Sequence, residues 1–185
     1  MIERYTRKEM GELWAQEARF QCFQDVEIAV AQAQSELGMI PKKAYESIAA
    51  KASFQLGRIL EIEKETKHDI IAFVSNLAEN VGEEGRFLHY GMTSSDALDT
   101  ALSVQVQKAE KVLIASLDGL LESLKAQAQN YAKTICSGRT HGMHAEPTTF
   151  GLKLAGFFAE FSRHKTRLLR ALEQMKIGKI SGAVG

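Results

Sequence analysis

The sequence predicts an all-α fold, in which a small helical domain precedes the start of a long-helix bundle. Apolar residues recur at helical spacing through most of the 185 residues, and the strict alternation typical of strands is scarce. Only two prolines interrupt the chain, Pro41 and Pro147, and both are interpreted as helix starts. We place the boundary between the two predicted domains, 1–93 and 94–185, just before the longest apolar-periodic run.

Composition and charge exclude several classes of protein. The chain is 45% hydrophobic and 25% charged, with a formal net charge of zero, whereas a general nucleic-acid binder should carry a basic excess. No apolar run approaches the ~18 residues that span a bilayer, and the N-terminus is too polar for a secretory signal, so we expect no membrane partner. Cys22 and Cys136 fall in helical patterns without paired or metal-ligand spacing, which indicates reduced thiols of a cytoplasmic protein.

The first predicted helices follow an N-terminal arm. Thr6 and Glu9 have the spacing of a capping box, so a helix should begin there and leave residues 4–5 outside it. Residues 14–37 should form a second helix that Gly38 ends. Along that helix, apolar and polar residues alternate turn by turn at Phe20, Phe23, Glu27, Val30, Ala31 and Gln34.

Three shorter segments complete the first predicted domain. Pro41 should begin a short helix that ends near residue 53, and the charged run 58–67 should be helical. Asp69 should cap a helix over residues 70–80, since an aspartate oxygen can accept from the free N–H groups of the first turn. Residues 82–91 are interpreted as a loop.

Four small polar residues, 93–96, precede the longest apolar run and are typical of a helix start. A plain N-cap accounts for them. The same position also suits an anion, because a helix N-terminus carries free N–H groups and partial positive charge. Thr93 and Ser94 would add hydroxyl donors, and His89 a cation.

The run from Leu98 to Ile135 predicts one long helix. Its apolar residues recur every 3.7 positions on average, and roughly 40 residues at ~1.5 Å rise give a rod of about 60 Å. Apolar side chains lie on more than one side of it, so several neighbouring helices should cover it. Residues 150–177 form the only other segment long enough, so we expect sequence outside this chain, partner chains or both to supply the rest.

Residues 137–149 are interpreted as a loop between those two long helices. Two histidines, an arginine and a glutamate lie here among two glycines and a proline, which is unusual for a simple connection. Loops on rigid scaffolds often carry chemistry, and histidine can exchange a proton near neutral pH. A basic run on the last helix, from Arg163 to Arg170, is interpreted as a solvated face.

Four passages together resemble the adenylosuccinate lyase family, in its bacterial form, within the fumarase/aspartase superfamily. They are residues 1–5, residues 67–69, residues 89–96 followed by Asp99 and Thr100, and residues 137–151. Each passage alone is a weak signal, but their order and spacing along the whole chain make the resemblance specific. It implies a fumarase/aspartase-like helix bundle, assembled as a homotetramer with active sites built from three subunits.

The resemblance implies a β-elimination that breaks a carbon–nitrogen bond and releases fumarate, with no metal or organic cofactor. The family's substrates are adenylosuccinate, which gives AMP, and succinylaminoimidazole carboxamide ribotide, an earlier purine intermediate. Such a reaction requires a base, fixed donors for the carboxylates and an acid for the departing nitrogen.

The resemblance also implies residue roles. His141 matches the general acid and Thr140 a neighbouring substrate-pocket residue, while His89 is expected to bind an anion rather than to donate a proton. His144 and Glu146 are assigned to loop architecture. The remaining residues that match nucleotide-, phosphate- or succinyl-binding positions are Arg4, Tyr5, Lys67, His68, Asp69, Thr93 and Ser94.

One departure from the family pattern concerns the base. In the family it is a serine in a mobile loop of the form Ser-Ser-x-Met-Pro-x-Lys-x-Asn, which does not occur in these 185 residues. The chain therefore resembles an N-terminal portion, under half the family's length, and we expect it to be inactive alone. Its uncovered apolar stripe should cause self-association.

Two other functions remain open. A sister lyase acting on argininosuccinate or a carboxymuconate shares several of the short motifs. A non-catalytic helical assembly module would also explain the long apolar stripe.

Overall fold

A computed structural model describes residues 2–185, apart from the side chain of Glu3. Within these residues the fold is mostly helical, as predicted, with one small two-stranded sheet that was not. The α-helices are α1 (Lys8–Leu13), α2 (Gln16–Glu36), α3 (Lys42–Lys51), α4 (Leu56–Thr66), α5 (Asp69–Val81), α6 (Ser94–Asn130) and α7 (Phe150–Gln174), and the strands are β1 (Ile135–Thr140) and β2 (Met143–Thr149). Short 3-10 helices span Glu3–Tyr5 and Glu83–Phe87.

The chain divides into two compact units. One contains Met1–Lys108 and Lys176–Gly185, and the other contains Ala109–Met175. Helix α6 therefore contributes its first part to one unit and its remainder to the other. The sequence-based division at residues 93 and 94 refers to the domains of a complete bundle and stays a prediction.

An aromatic cluster forms the core of the first unit. Phe20 and Phe23 on α2 lie one turn apart and contact Phe73 of α5, with ring centroids 5.4 and 5.7 Å from the Phe73 ring. Phe54, before α4, approaches the same ring at 6.2 Å. The apolar positions of α2 are thus buried as their helical spacing predicts.

The N-terminal helix starts differ from the prediction in detail. The helix predicted over 14–37 is α2, which begins two residues later, at Gln16, and ends at Glu36; Gly38, with φ +71°, follows its end as expected. Thr6 does not cap α1, because its hydroxyl donates to the Ile2 carbonyl (2.8 Å) within the arm, and Arg7 occupies the cap position without a side-chain hydrogen bond.

The middle of the first unit brings two further corrections. Pro41 precedes α3 as predicted. The cap of α5 is His68 rather than Asp69, which is the first residue of the helix. Residues 83–87, predicted as loop, form a 3-10 helix that brings Gly85 close to Ala78, where an added Cβ would lie 2.8 Å from the Ala78 Cα.

The second unit contains the largest correction. Helix α6 ends at Asn130, so Tyr131 and Ile135 lie outside it, and the predicted loop is an antiparallel β-hairpin. Cys136 lies in β1 rather than in a helix, and Pro147 lies in β2 opposite Ser137 rather than at a helix start. The hairpin carries no apolar alternation, because it lacks a buried face, and so periodicity could not reveal it.

Helix α7 begins immediately after the hairpin and ends before the predicted residue 177. Thr149 caps it by accepting from the Leu152 N–H at 3.1 Å. Its basic run is partly paired, since Lys165 donates to Asp118 of α6. Within this unit several large apolar side chains remain exposed: Leu113, Leu120, Leu152, Phe157 and Leu169.

None of the helices among residues 2–185 has the length and apolar character that crossing a membrane requires.

Candidate active site

His68 joins two of the passages singled out in the sequence. Its Nδ1 accepts from the backbone N–H of Ile71 at 3.4 Å, which caps α5. Its Nε2 lies 3.4 Å from Ser94 Oγ at the start of α6. Because Nδ1 acts as an acceptor, the neutral ring carries its proton on Nε2 and can donate toward Ser94.

The residues beside His68 are held by local contacts. Asp69 Oδ1 accepts from the Ile70 N–H at 2.8 Å, and its Oδ2 lies 3.7 Å from the Arg19 guanidinium. Lys67 ends α4 in a left-handed conformation, with φ +55° and its side chain exposed. The structure thus places the cation of Arg19, which sequence reasoning missed, at this cluster.

Arg19 also lines a groove of about 540 Å³ beside the start of α2, together with Trp14, Asp99 and Gln105. Its guanidinium stacks over the Phe23 ring at 5.1 Å. A single arginine at a helix start gave no signal in the sequence, because its importance depends on contacts with α5.

The start of α6 is organised by the side chain of Asp96. Its carboxylate is fully buried and accepts from the N–H groups of Thr93 (2.9 Å), Ser181 (3.0 Å) and Gly182 (3.0 Å). Burial alone raises the pKa of Asp96, but these hydrogen bonds and Lys179 outweigh it and lower the pKa to about 2. Asp96 is therefore an anion that holds segment 179–182 against Thr93.

His89 lies in the loop before α6 and is anchored to α2. Its ring Nδ1 is 2.6 Å from Glu27 Oε1, and its backbone N–H donates to Glu27 Oε2 at 2.8 Å. Its carbonyl accepts from the Met92 N–H at 3.2 Å, in a turn that leads to Thr93. Glu27 was also missed as a contributor, although a glutamate on the apolar stripe of α2 is an available signal.

The N-terminal arm keeps Arg4 and Tyr5 together. The Arg4 guanidinium lies over the Tyr5 ring at 4.8 Å, and both side chains are exposed. A cation on an aromatic face is a surface that suits an anionic or planar ligand.

Thr140 and His141 lie in the second unit, at the tip of the β-hairpin. His141 and Gly142 form the two-residue turn between β1 and β2, with φ +52° and +74°. Positive φ at both positions defines a type I′ turn, the geometry that suits a tight hairpin. The exposed His141 side chain is therefore presented at a hairpin tip rather than in the loop that the sequence predicted.

Among the described residues, the non-glycine residues in left-handed conformation are Lys67, His89 and His141, and all three are predicted site residues. Such conformations are costly for residues with a Cβ and occur preferentially at functional sites. This coincidence comes from the backbone alone and so does not depend on the motifs that selected these residues.

Among residues 2–185 no group of three or more His, Cys, Asp or Glu side chains is arranged to hold a metal ion.

In the first unit a histidine, a hydroxyl and a cation lie close to helix starts, and in the second unit His141 lies at a hairpin tip. The family model described as Lyase matches residues 1–185, and the chain belongs to this family.

Two curated relatives of this chain are both adenylosuccinate lyases. The chain is 51% identical over 185 residues to adenylosuccinate lyase of Synechocystis sp. and 48% identical over 185 residues to that of Bacillus subtilis. Both alignments cover 100% of this chain and 43% of the relative, so the chain spans less than half the length of these relatives.

Solved structures agree on the fold. Fumarate lyase from Mesorhizobium sp. BNC1 superposes with a TM-score of 0.92 at 31% identity, covering 98% of this chain and 44% of that structure. A 3-carboxy-cis,cis-muconate lactonizing enzyme from Pseudomonas putida gives 0.90 at 32% identity, covering 98% of this chain and 43% of that structure.

Proposed function

We propose that this chain is part of a lyase of purine nucleotide biosynthesis. The reaction is β-elimination of fumarate from adenylosuccinate, giving AMP, and from succinylaminoimidazole carboxamide ribotide. The observation that carries the proposal is the 51% identity to an adenylosuccinate lyase over the whole chain, against 31% and 32% for the structural neighbours with other names.

In the proposed reaction a base removes a proton next to a carboxylate, a carbon–carbon double bond forms, and the carbon–nitrogen bond breaks. The departing nitrogen then needs a proton, and His141 is the proposed acid. Its exposure and its fixed turn geometry support that role. We assign no residue of this chain as the base.

The nucleotide and its anionic groups are the proposed ligands of the remaining site residues. Thr93 and Ser94 would donate from the start of α6, where the backbone adds positive potential. His68 and Ser94 are already in contact, which supports their acting on one ligand group. The other proposed substrate-binding residues are Arg4, Tyr5, Lys67, Asp69, His89 and Thr140.

Two further parts of the proposal concern assembly and location. Exposed apolar residues on α6 and α7 support self-association, which in the complete protein would give a homotetramer. We propose a cytoplasmic location, which the two free thiols support. Light scattering and fractionation would test these two statements.

A chimera tests the proposed activity. The 185 aligned residues of the Synechocystis enzyme are replaced by this chain, and fumarate release from adenylosuccinate is followed by absorbance. We expect activity in the chimera and a loss of ~100-fold or more in His141→Gln, because a proton-transfer group is removed.

His144→Gln is the matched control, since His144 lies in the same hairpin and contacts Ser137 Oγ at 3.0 Å. It should change the rate only a few-fold. Equal rates for both variants would refute the assignment of His141 and favour the assembly module. Inhibition by argininosuccinate but not by AMP would favour a sister lyase. A sister lyase is the second candidate because solved structures with other enzyme names superpose closely on this chain.

A further inference from the structure

Glu27 is an ionisable residue in the core of the first unit, on the helix face that also carries Phe20 and Phe23. It is 1% exposed, so its carboxylate is removed from solvent. A buried carboxylate is strongly unfavourable unless other groups bind and compensate it. Its partners therefore indicate why an acid lies at this position.

Both oxygens of Glu27 bind the same residue, His89, which lies 62 positions further along the chain. One oxygen is 2.6 Å from the ring Nδ1 and the other accepts from the backbone N–H at 2.8 Å. Because a carboxylate only accepts, Nδ1 must carry a proton. The backbone hydrogen bond simultaneously supports the left-handed conformation of His89, whose φ is +57°.

A second residue of α2 binds the same loop. Gln34 lies seven residues after Glu27, two helical turns along the same face, and its Nε2 donates to the Tyr90 carbonyl at 2.6 Å. Helix α2 thus holds two consecutive loop residues through two buried side chains. The difference between them is that Gln34 contacts only the backbone, whereas Glu27 also contacts the His89 ring.

We infer that Glu27 is a positioning residue for anion binding by His89. With Nδ1–H bound to Glu27, the ring nitrogen available to a ligand is Nε2, which in the imidazolium donates to a phosphate or a carboxylate. The inference rests on the proposed function in taking His89 as a substrate-binding residue. It adds that the buried acid supplies the counter-charge for the imidazolium that offers Nε2 to the ligand.

The first experiment needs no ligand. Nitrogen-15 spectra of the histidine rings and the backbone coupling of His89 are measured in the 185-residue chain and in Glu27→Gln. The glutamine oxygen can keep the backbone hydrogen bond only if the amide NH₂ faces Nδ1 and donates to it, so we expect the Nδ1–H signal to disappear and the ring proton to move to Nε2.

Gln34→Met is the matched control, because it loosens the same loop without touching the ring, and the Nδ1–H signal should persist. If the Glu27→Gln variant does not fold, Glu27→Asp takes its place in the experiment. It keeps the charge but is one methylene shorter, so only one of the two hydrogen bonds should survive. An unchanged His89 spectrum in the Glu27 variants would overturn the inference.

The second experiment uses the chimera described above, in which the remaining residues of the Synechocystis enzyme complete the site, and follows the His89 ring during titration with AMP or with fumarate. We expect binding in the wild type and weakening by roughly tenfold to a hundredfold in Glu27→Gln, because a neutral ring with its proton on Nε2 can still donate but lacks the charge of the imidazolium. The weakening in Gln34→Met should be less than about threefold. If the His89 ring signal responds only to AMP, His89 binds the phosphate of the nucleotide. If it responds only to fumarate, His89 binds a carboxylate.

The second experiment separates failure of the proposed nucleotide site from failure of the inference about Glu27. If neither ligand affects His89 in the chimera with the wild-type residues, anion binding by His89 is refuted, and the proposed nucleotide site loses support. If the ligand binds equally well to wild type and Glu27→Gln, only the role of Glu27 is refuted.

Discussion

The substitution Asp96→Asn should destabilise the first unit by removing a buried charge that several donors share. Three backbone N–H groups lie 2.9 to 3.0 Å from its oxygens, and Lys179 Nζ lies 3.4 Å away. In asparagine one oxygen becomes an NH₂ group that faces one or more of these donors. Since a hydrogen bond to a charged group contributes about 1.5–3 kcal/mol and a buried unpaired group adds a further penalty, we expect a loss of roughly 2–4 kcal/mol.

The effect should depend on pH in a defined direction. The folded-state pKa of Asp96, about 2, is below its ordinary value of 3.8. Its charge therefore adds stability that is complete above about pH 4–5 and is lost as the pH falls toward 2. The shift corresponds to about 1–2 kcal/mol once partial screening by the exposed neighbouring segment is included.

Urea denaturation followed by circular dichroism would measure the free energy of unfolding for wild type, Asp96→Asn and the control Asp99→Asn. Asp99 lies on the same helix with its side chain 60% exposed and 3.9 Å from Lys179, so its replacement should cost less than about 1 kcal/mol. Amide exchange at Ser181 and Gly182 should accelerate only in Asp96→Asn. Equal stability of the two variants, or a difference that does not shrink between pH 5 and pH 2, would refute the reasoning.

Two other substitutions test the fold. Gly138→Ala should disrupt the hairpin, because the added Cβ would lie 2.5 Å from the Glu146 carbonyl oxygen. Gly119→Ala should stabilise the protein by about 0.5–1 kcal/mol, because the added Cβ lies inside α6 and meets nothing within 4 Å. Thermal melts that rank the two variants in the opposite order would contradict this. Phe73→Ala should cost about 3–5 kcal/mol in urea denaturation, since its fully buried ring contacts three other phenylalanines, and a cost below 1 kcal/mol would show that the aromatic cluster is not the core.

The sequence was sufficient for most helices because their signals are local. Apolar spacing located α2 and α5, Pro41 located the start of α3, and Gly38 the end of α2. Cap identity was less predictable, as neighbouring polar residues compete for the same N–H groups. Thus His68 rather than Asp69 caps α5, and Thr6 binds Ile2 instead of capping α1.

The hairpin over residues 135–149 was not predictable from periodicity. Its strands are polar and short, so they carry neither the alternation of a half-buried strand nor an apolar run. The His141–Gly142 pair resembles a type I′ turn only after the strands on either side of it are known. The order of the motifs along the sequence identified the candidate site residues of this hairpin. Their geometry became known only from the pairing of the two strands in the structure.

The sequence by itself determined the helical class of this protein, the candidate site residues and the resemblance to a lyase family. Those features depend on residue types at short spacing, which a linear chain displays directly. Only the tertiary structure showed that Glu27 binds His89, that Asp96 binds segment 179–182, and that His68 reaches Ser94. Each of these contacts joins residues 26 to 86 positions apart, and such pairs become neighbours only when packing of the apolar faces brings distant segments of the chain together.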